Sequence, residues 1–291
     1  MELRVLRYFL TVAQYQNMTK AAHELLVSQP TLSKQLSDLE TELGAKLFTR
    51  GHRQITLTQE GEYLRARARE IVQLVDQTAA NIQADQVITG RLSIGAGESV
   101  GMKRIMKVVS EIIQAYPDVK IHLVSGNADE METALKHGTI DFAVLMGKRD
   151  LKKYNYLNLP EVNTWGLVIK KNDPLATKDV ITPSDLIGLP LLVSEQALEE
   201  HTFQDWWGNL DEKMNIIGTF TLVFNAQLMV NQGNTYMIIF DHLINNSNSN
   251  NLVFRPLSPA LTEPTNIIWK KNIVQSKVAQ LFIKRLTASL N

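Results

Sequence analysis

Residues 19–43 read TKAAHELLVSQPTLSKQLSDLETEL, and this stretch decides the fold of the N-terminal region. Ser28 can cap a helix, and Pro30 is tolerated in the first turn, where backbone N–H groups lack helical partners. Gly44 can end the same helix. Apolar residues recur at helical spacing between these two signals. The leucines that form this stripe are Leu32, Leu36, Leu39 and Leu43.

A shorter helix is predicted just before Ser28. Thr19 is expected to cap it, and the small residues Ala21 and Ala22 would allow close approach of a second helix. Leu25 and Leu26 are expected to complete its apolar face. Two helices joined by a tight turn predict a helix-turn-helix, a motif whose second helix can enter the DNA major groove.

The outer face of the second helix would carry short or flexible hydrogen-bonding side chains. Glutamine can pair with adenine, lysine with guanine or phosphate, and serine or threonine with most base edges. An ordinary amphipathic helix with a solvated polar face would look the same, so the helix pair alone leaves both interpretations open. The outward residues are Gln29, Thr31, Ser33, Lys34 and Ser37.

The next residues, AKLFTRGHRQITLTQEG at 45–61, predict two short strands around a turn at Gly51. Lys46, Arg50 and Arg53 are the only Lys, Arg, Asp or Glu residues between Leu43 and Gln59. A merely solvated hairpin would usually mix its charges. Unopposed cations beside a helix-turn-helix favour contacts with a narrow minor groove or the flanking phosphates.

Over residues 3–61 the chain resembles the bacterial LysR-type transcriptional regulators. The matching residues are Leu3, Leu6, Tyr8, Phe9, Thr19, Ala21, Ala22, Leu25, Val27, Ser28, Gln29, Pro30, Leu32, Ser33, Leu39, Glu40, Leu43, Gly44, Leu47, Phe48, Arg50, Leu57, Thr58 and Gly61. Beyond residue 61 the likeness is one of layout.

The resemblance implies base and phosphate contacts from Gln29, Pro30, Ser33 and Lys34, and a wing contact from Arg53. Lys34 stands where many relatives have arginine, and lysine offers a point charge rather than a planar fork for guanine. The predicted partner is double-stranded DNA. The predicted DNA-facing residues are Gln29, Pro30, Thr31, Ser33, Lys34, Arg50 and Arg53.

Composition sets further bounds on the chain of 291 residues. Its formal net charge is zero, so the DNA prediction rests on local placement of cations rather than on bulk charge. The absence of cysteine excludes disulfides, thiolate metal sites and the cysteine-based peroxide sensing found in some relatives. Nothing resembles a signal peptide, and no apolar run is long enough for a membrane helix, which predicts a cytoplasmic protein without a membrane partner.

A long helix is predicted after the wing, since Thr58 can cap it and Glu60 favours its first turn. Its apolar positions repeat in a heptad-like pattern. Packing on the chain's own domain would explain this stripe, but pairing with a second subunit is the favoured interpretation. The resemblance likewise implies a homodimer, with tetramers built through the C-terminal region. The predicted dimerisation residues are Leu64, Ala68, Ile71, Val75 and Ile82.

The remaining chain alternates short apolar runs with helical stretches, which predicts an α/β fold. The predicted domains are a winged helix-turn-helix at 1–58, a linker helix at 59–88 and a regulatory domain at 89–291. The resemblance implies that the last comprises two Rossmann-like, periplasmic-binding-protein-like subdomains. These are expected at about 89–163 with 266–291, and at about 164–265.

Ligands in open α/β sheets bind beyond the carboxyl ends of strands, and paired subdomains form a cleft. Each polar residue at such a strand end could equally be a plain N-cap of the following helix. Glu98 is expected to turn away, to pair with Lys103 or Arg104, or to select an effector with a donor or positive charge. Asn225 follows a strand predicted at Thr219–Val223. The predicted effector contacts are Gly97, Glu98, Ser99, Asn127, Met146, Ser194, Gln196 and Asn225.

Other chemistry is weakly supported. Gly95, Gly97 and Gly101 mimic a dinucleotide fingerprint, but the last spacing is one residue too long. The six histidines show no metal-ligand spacing, so neither a cofactor nor a metal is predicted. The favoured interpretation is a non-enzymatic, sequence-specific DNA-binding regulator modulated by a small-molecule effector. The alternative is a solute-binding protein or small-molecule enzyme built on the α/β region.

Overall fold

The computed structural model describes residues 1–50, 55–83, 88–244 and 251–290. The chain forms two compact units, Met1–Gln83 and Ala84–Asn291. Among the described residues, no helix combines the length and the apolar character that crossing a bilayer requires.

The first unit is a winged helix-turn-helix. Its elements are α1 (Leu3–Tyr15), α2 (Met18–Glu24), α3 (Gln29–Leu43), β1 (Phe48–Arg50), β2 (Ile55–Leu57) and α4 (Gln59–Gln83). Ser28 caps α3, and Gly44 ends it in the left-handed conformation, as predicted. The predicted cap of α2 is wrong: Asn17 accepts the hydrogen bond from the Lys20 backbone N–H, and Thr19 lies inside the helix.

The core of this unit lies between α1 and the inner face of α3. Phe9 and Leu32 are fully buried there, and Leu36 and Leu39 continue the buried face of α3. Leu43 is exposed, so the predicted stripe ends one turn early. Leu26 is also exposed, because the turn after α2 gives it a φ of 54° and it leaves the helix face.

The first turns of α4 pack on α1 in the same core, where Leu64 and Ala68 are buried. Both residues were predicted at a dimer seam, so that prediction is wrong for them: the core of the winged unit needs α4 to close it. Ile71 and Val75 lie further along and are each 38% exposed. The side chain of Ile82 lies outside the described part of the chain.

The second unit is a mixed α/β structure. Its strands are β3 (Gly90–Ala96), β4 (Val119–Ser125), β5 (Phe142–Met146), β6 (Tyr154–Lys170), β7 (Pro190–Ser194), β8 (Asn215–Phe220), β9 (Tyr236–Phe240), β10 (Leu252–Pro256) and β11 (Thr262–Lys270). Its helices are α5 (Met102–Ala115), α6 (Ala128–His137), α7 (Glu195–Glu199), α8 (Gln204–Trp207), α9 (Val223–Gln232) and α10 (Lys277–Ala288). The predicted strand at Thr219–Val223 is wrong at its end, since β8 stops at Phe220 and α9 starts at Val223.

The strands run in the order β4-β3-β5-β11-β6-β9-β7-β8, with β10 also paired to β6. The long strand β6 joins the two halves: its first part pairs with β11, and residues 165–170 pair with β9 and β10. We call the half containing β3, β4, β5, α5, α6 and α10 subdomain I, and the half containing β7 to β10 subdomain II.

Each subdomain has its own core. In subdomain I, Ile94, Phe142 and Phe282 pack together, with α10 lying beside α5. In subdomain II, Leu191 and Ile238 pack around the rings of Trp165, Phe203 and Phe240. The carboxyl ends of β3 and β7 thereby face a common cleft, which is where parallel sheets place their ligands.

Candidate functional site

The first turn of α3 presents polar groups to solvent. Gln29, Pro30, Thr31 and Lys34 are exposed, and Ser33 is half-buried. The Ser28 Oγ accepts a hydrogen bond from the Thr31 backbone N–H at 3.3 Å and lies 2.7 Å from the Thr31 hydroxyl. An amide, hydroxyls and an ammonium therefore surround a helix N-terminus, an arrangement that suits base edges and phosphates.

Glu40 fixes the start of the wing to α3. Its Oε1 accepts hydrogen bonds from the backbone N–H groups of Leu47 at 2.8 Å and Phe48 at 3.3 Å, while the Lys46 ammonium lies 2.9 Å from Oε2. Burial raises the pKa of Glu40, but Lys46 and the two N–H groups together hold that pKa below its usual value. The carboxylate thus keeps the wing in a defined position relative to α3.

The wing strands β1 and β2 pair antiparallel, with Arg50 opposite Ile55. Residues 51–54 lie outside the described residues, and so does the side chain of Arg50. Arg53, predicted to contact DNA from the wing tip, falls in this range. Gly61, at the start of α4, is required by close packing: a Cβ there would lie 2.1 Å from the Leu47 carbonyl oxygen.

A second candidate site is a cavity of about 70 Å³ between subdomains I and II. It lies at the ends of β3, β5 and β7, where the sequence predicted effector contacts. The predicted residues that line it are Gly97, Glu98, Asn127, Met146, Ser194 and Gln196.

Two other predicted contacts do not line this cavity, and the sequence prediction is corrected for both. The buried hydroxyl of Ser99 donates to Asn163 Oδ1 at 2.8 Å and accepts from the Gly101 N–H at 3.0 Å. Ser99 therefore supports the strand crossover rather than the cavity. Asn225 is exposed on α9. The predicted strand ended at Val223, but α9 begins at that residue, so Asn225 lies within a helix and not at a strand end.

Side chains from each subdomain form hydrogen bonds with the backbone of the other subdomain across the cleft. The Glu98 carboxylate of subdomain I accepts a hydrogen bond from the Val223 backbone N–H at 2.6 Å. In the opposite direction, Gln196 of subdomain II accepts one from the Ala128 N–H at 2.9 Å. Each oxygen satisfies the N-terminus of a helix in the other subdomain, where backbone N–H groups lack helical partners. One of the alternatives for Glu98 was pairing with Lys103 or Arg104; among the described residues its partner is instead the Val223 N–H, while Arg104 pairs with Glu161.

Two lining residues also serve as plain caps within their own subdomains. At the start of α6, Asn127 Oδ1 accepts from the Glu130 backbone N–H and Glu130 Oε2 accepts from the Asn127 backbone N–H, each at 2.9 Å. Ser194 Oγ accepts from the Ala197 N–H at 3.4 Å. Arg149 adds an ionic link across the cleft, since it pairs with Glu132 of subdomain I and with Glu200 of subdomain II.

Sequence reasoning missed several residues that line the cavity. Trp165 and Phe240 form an aromatic wall, with ring centroids 4.0 Å apart. Glu263 precedes the crossover at Pro264, and burial followed by the charge of Glu200 raises the pKa of its carboxyl group. No motif marks these residues; the only available signal was position, since Trp165 and Glu263 lie where the chain passes between the two predicted subdomains. The missed lining residues include Trp165, Glu200, Thr221, Phe240 and Glu263.

Two family models together match most of the chain. A model of the bacterial regulatory helix-turn-helix protein, lysR family, matches residues 3–62, and a model of the LysR substrate binding domain matches residues 85–291. The chain therefore belongs to the LysR family. It is a LysR-type transcriptional regulator with an effector-binding domain, and the alternative of a solute-binding protein or enzyme is not favoured.

Individual relatives share this layout. The Hca operon transcriptional activator HcaR of Escherichia coli (strain K12) is 29% identical over 277 residues, covering 93% of this chain and 92% of HcaR. The uncharacterized regulator YnfL of the same strain is 37% identical over 209 residues, covering 71% and 70%. Full-length CbnR complexed with its target DNA has the same fold, with a TM-score of 0.76 at 19% identity, covering 99% and 100% of the two chains.

Proposed function

We propose that this regulator reads DNA through the first turn of α3. Gln29, Ser33 and Lys34 would enter the major groove, while Arg53 would lie in or beside the minor groove. The observation that carries this assignment is the exposure of that turn on the face opposite the buried residues Leu32 and Leu36. Pro30, Thr31 and Arg50 would contact the phosphates that flank the bases.

Binding measurements on DNA fragments selected by the purified protein test this assignment. Gln29→Ala or Ser33→Ala should cost roughly 1–3 kcal/mol on selected sites and little on random DNA, because base contacts are lost. Arg53→Ala should weaken binding to both DNAs, and it should reduce the slope of log affinity against log salt concentration by about one. Thr41→Ala, at the far end of α3, is the matched control. Equal losses on both DNAs from Gln29→Ala would remove Gln29 from base readout.

The second part of the proposal concerns the cavity between subdomains I and II. A small effector bound there would touch both subdomains and would favour one angle between them. Gly97, Glu98, Asn127 and Met146 from one side and Ser194 and Gln196 from the other support this role, since they line a single cavity. We infer that the cavity binds a ligand without catalysing a reaction and needs no cofactor, and that the regulator acts in the cytoplasm.

Blocking the cavity tests this role directly. Thr221 lines the cavity and is exposed, so Thr221→Trp should fill the entrance without disturbing the core. The variant should lose the effector-dependent change in DNA affinity while its ligand-free DNA affinity stays the same. Thr177→Trp, an exposed site elsewhere in subdomain II, is the matched control. A full effector response in Thr221→Trp would place the effector site elsewhere.

A further inference from the structure

The cavity between subdomains I and II is lined by carboxylates. Among the described residues that line it, none is Lys, Arg or His. An ionised ligand entering such a site leaves water and depends on the charges of the wall for compensation. The acidic lining residues are Glu98, Glu195, Glu200 and Glu263.

These four carboxylates are compensated to different extents. Glu200 pairs with Arg149. The partner of Glu98 is the neutral N–H group of Val223, and Glu195 lies 3.5 Å from the Thr221 hydroxyl. Glu263 is half-buried and forms no ion pair within 4.0 Å in the described part of the chain; only the more distant charge of Lys148 and the Trp165 indole N–H favour its ionised form. Negative charge therefore exceeds positive charge at the cavity wall, with Glu98 and Glu263 as its least exposed sources.

The opposite wall is aromatic and contains a buried donor. Trp165 is only 4% exposed, and its indole N–H makes no hydrogen bond of normal geometry among the described residues, although it lies close enough to Glu263 to lower the pKa of that carboxyl group. A buried donor without an acceptor is unfavourable, and an acceptor atom on a bound molecule would satisfy it. Trp165 and Phe240 both line the cavity, and aromatic rings tolerate a neighbouring cation better than an anion because of their quadrupole. This wall therefore offers a ligand an apolar aromatic surface and one buried donor, and the carboxylates opposite it favour a positive charge.

We propose that the effector of this cavity is a small organic cation, such as an ammonium compound carrying a hydrogen-bond acceptor. Its charge would be balanced by Glu98 and Glu263, and its apolar part would lie against Trp165 and Phe240. The inference rests on the proposed effector role of the cavity. An anionic effector would instead face four carboxylates and would have to displace Glu98 from the N-terminus of α9.

Three probes of similar size separate these cases: n-butylammonium, n-butanol and butyrate. Each is added in millimolar excess to the full-length protein at constant ionic strength, and its affinity is measured by calorimetry and by the shift of the thermal unfolding midpoint. Butylammonium should bind most tightly and butyrate least. Its affinity should fall as pH decreases, because protonation of Glu263, whose pKa is raised by burial, removes the compensating charge.

Variants locate the effect in the cavity. Glu98→Gln and Glu263→Gln should each weaken butylammonium binding about tenfold, since a charge-assisted contact is lost. Glu111→Gln, at an exposed position on α5, is the matched control and should leave binding unchanged. Unfolding midpoints of the ligand-free variants verify that each protein folds.

The outcomes are distinguishable from failure of the effector role itself. Tighter binding of butyrate than of butylammonium overturns the cationic class, and so does unchanged butylammonium affinity in both glutamine variants. Binding of none of the three probes overturns it as well. The proposed effector role of the cavity is tested separately, by whether Thr221→Trp loses the response to the regulator's own effector.

Discussion

The Glu98 carboxylate lies 2.6 Å from the backbone nitrogen of Val223 and accepts its hydrogen bond across the cleft. Val223 is the first residue of α9, so its N–H group has no partner within the helix. Gln196 has the corresponding relation to Ala128 at the start of α6. Each subdomain therefore contributes a side-chain oxygen that accepts a hydrogen bond from a helix N-terminus of the other subdomain. A bound effector would compete with or reinforce these contacts.

Removing the carboxylate should loosen this contact in the ligand-free protein. Glu98→Ala should accelerate hydrogen exchange of the Val223 amide about tenfold, because a charge-assisted hydrogen bond contributes on the order of 1.5 kcal/mol. Exchange measured by NMR on the full-length protein provides the readout. Glu195→Ala, an exposed carboxylate on the same cavity wall, is the control. An unchanged rate at Val223 would mean that Glu98 does not restrain this end of α9.

The part of α4 that is left exposed for the predicted dimer seam is shorter than the sequence pattern indicated, and this leads to a second prediction. Val75→Asp should dissociate the dimer while the single chain stays folded, because Val75 is 38% exposed. Ala68→Asp should instead unfold the first unit, since Ala68 is fully buried and an unpaired charge there costs several kcal/mol. Sedimentation and circular dichroism separate the two results.

Ala66→Asp, at an exposed position on α4, is the matched control and should preserve both the dimer and the fold. A Val75→Asp protein that sediments as the parent would place the subunit interface elsewhere. An Ala68→Asp protein that stays folded would contradict its burial in the core of the first unit.

Local signals predicted the helix-turn-helix well, because caps and leucine spacing act within one helix. Ser28 and Gly44 mark the two ends of α3 as expected. The α4 seam was misassigned at Ala68 because a heptad-like stripe does not specify its partner, and here the partner is α1 of the same chain. Trp165 and Glu263 reach the same cavity because β6 pairs with β11. The local sequence does not indicate which strands pair, so it could not predict this contact.

Asp141 gives the second unit a pH-dependent stability. Burial raises the pKa of Asp141 from 3.8 to about 6, although the Ser93 backbone N–H, 2.7 Å from Oδ2, and the charge of Arg91 oppose this. Well below pH 3.8 the carboxyl is neutral whether the chain is folded or unfolded. Between 3.8 and about 6 the unfolded chain ionises first, so the folded state loses stability as pH rises.

Asp141→Asn should therefore stabilise the protein at neutral pH, by at most about 3 kcal/mol, and the gain should vanish as pH falls to about 4. The asparagine Oδ1 can still accept the Ser93 hydrogen bond. Chemical unfolding at several pH values measures the effect, and Asp118→Asn, at an exposed position, is the control. A pH-independent gain would show that ionisation of Asp141 is not its cause.

Leu26 occupies the turn before α3 in a conformation that leucine rarely adopts. Its φ is 54°, and its side chain is 92% exposed, so the strain is not offset by burial. The left-handed region costs a residue with a Cβ about 1 kcal/mol, whereas asparagine enters it more readily because its side chain can bond locally. The backbone at this turn is nevertheless fixed, since the next residue, Val27, donates its N–H to Ala22 at 3.0 Å.

Leu26→Asn should raise the free energy of unfolding of the first unit by up to about 1 kcal/mol. Native-state hydrogen exchange of the α3 amides in the full-length protein measures this change without interference from the second unit. Leu43→Asn is the matched control: Leu43 is also exposed, but it lies within α3, where asparagine has a lower helix propensity than leucine and should slightly destabilise the unit. Faster exchange in Leu26→Asn would show that the leucine side chain stabilises the turn. A loss of DNA affinity despite slower exchange would instead assign Leu26, two residues before the cap of α3, to the DNA-facing surface.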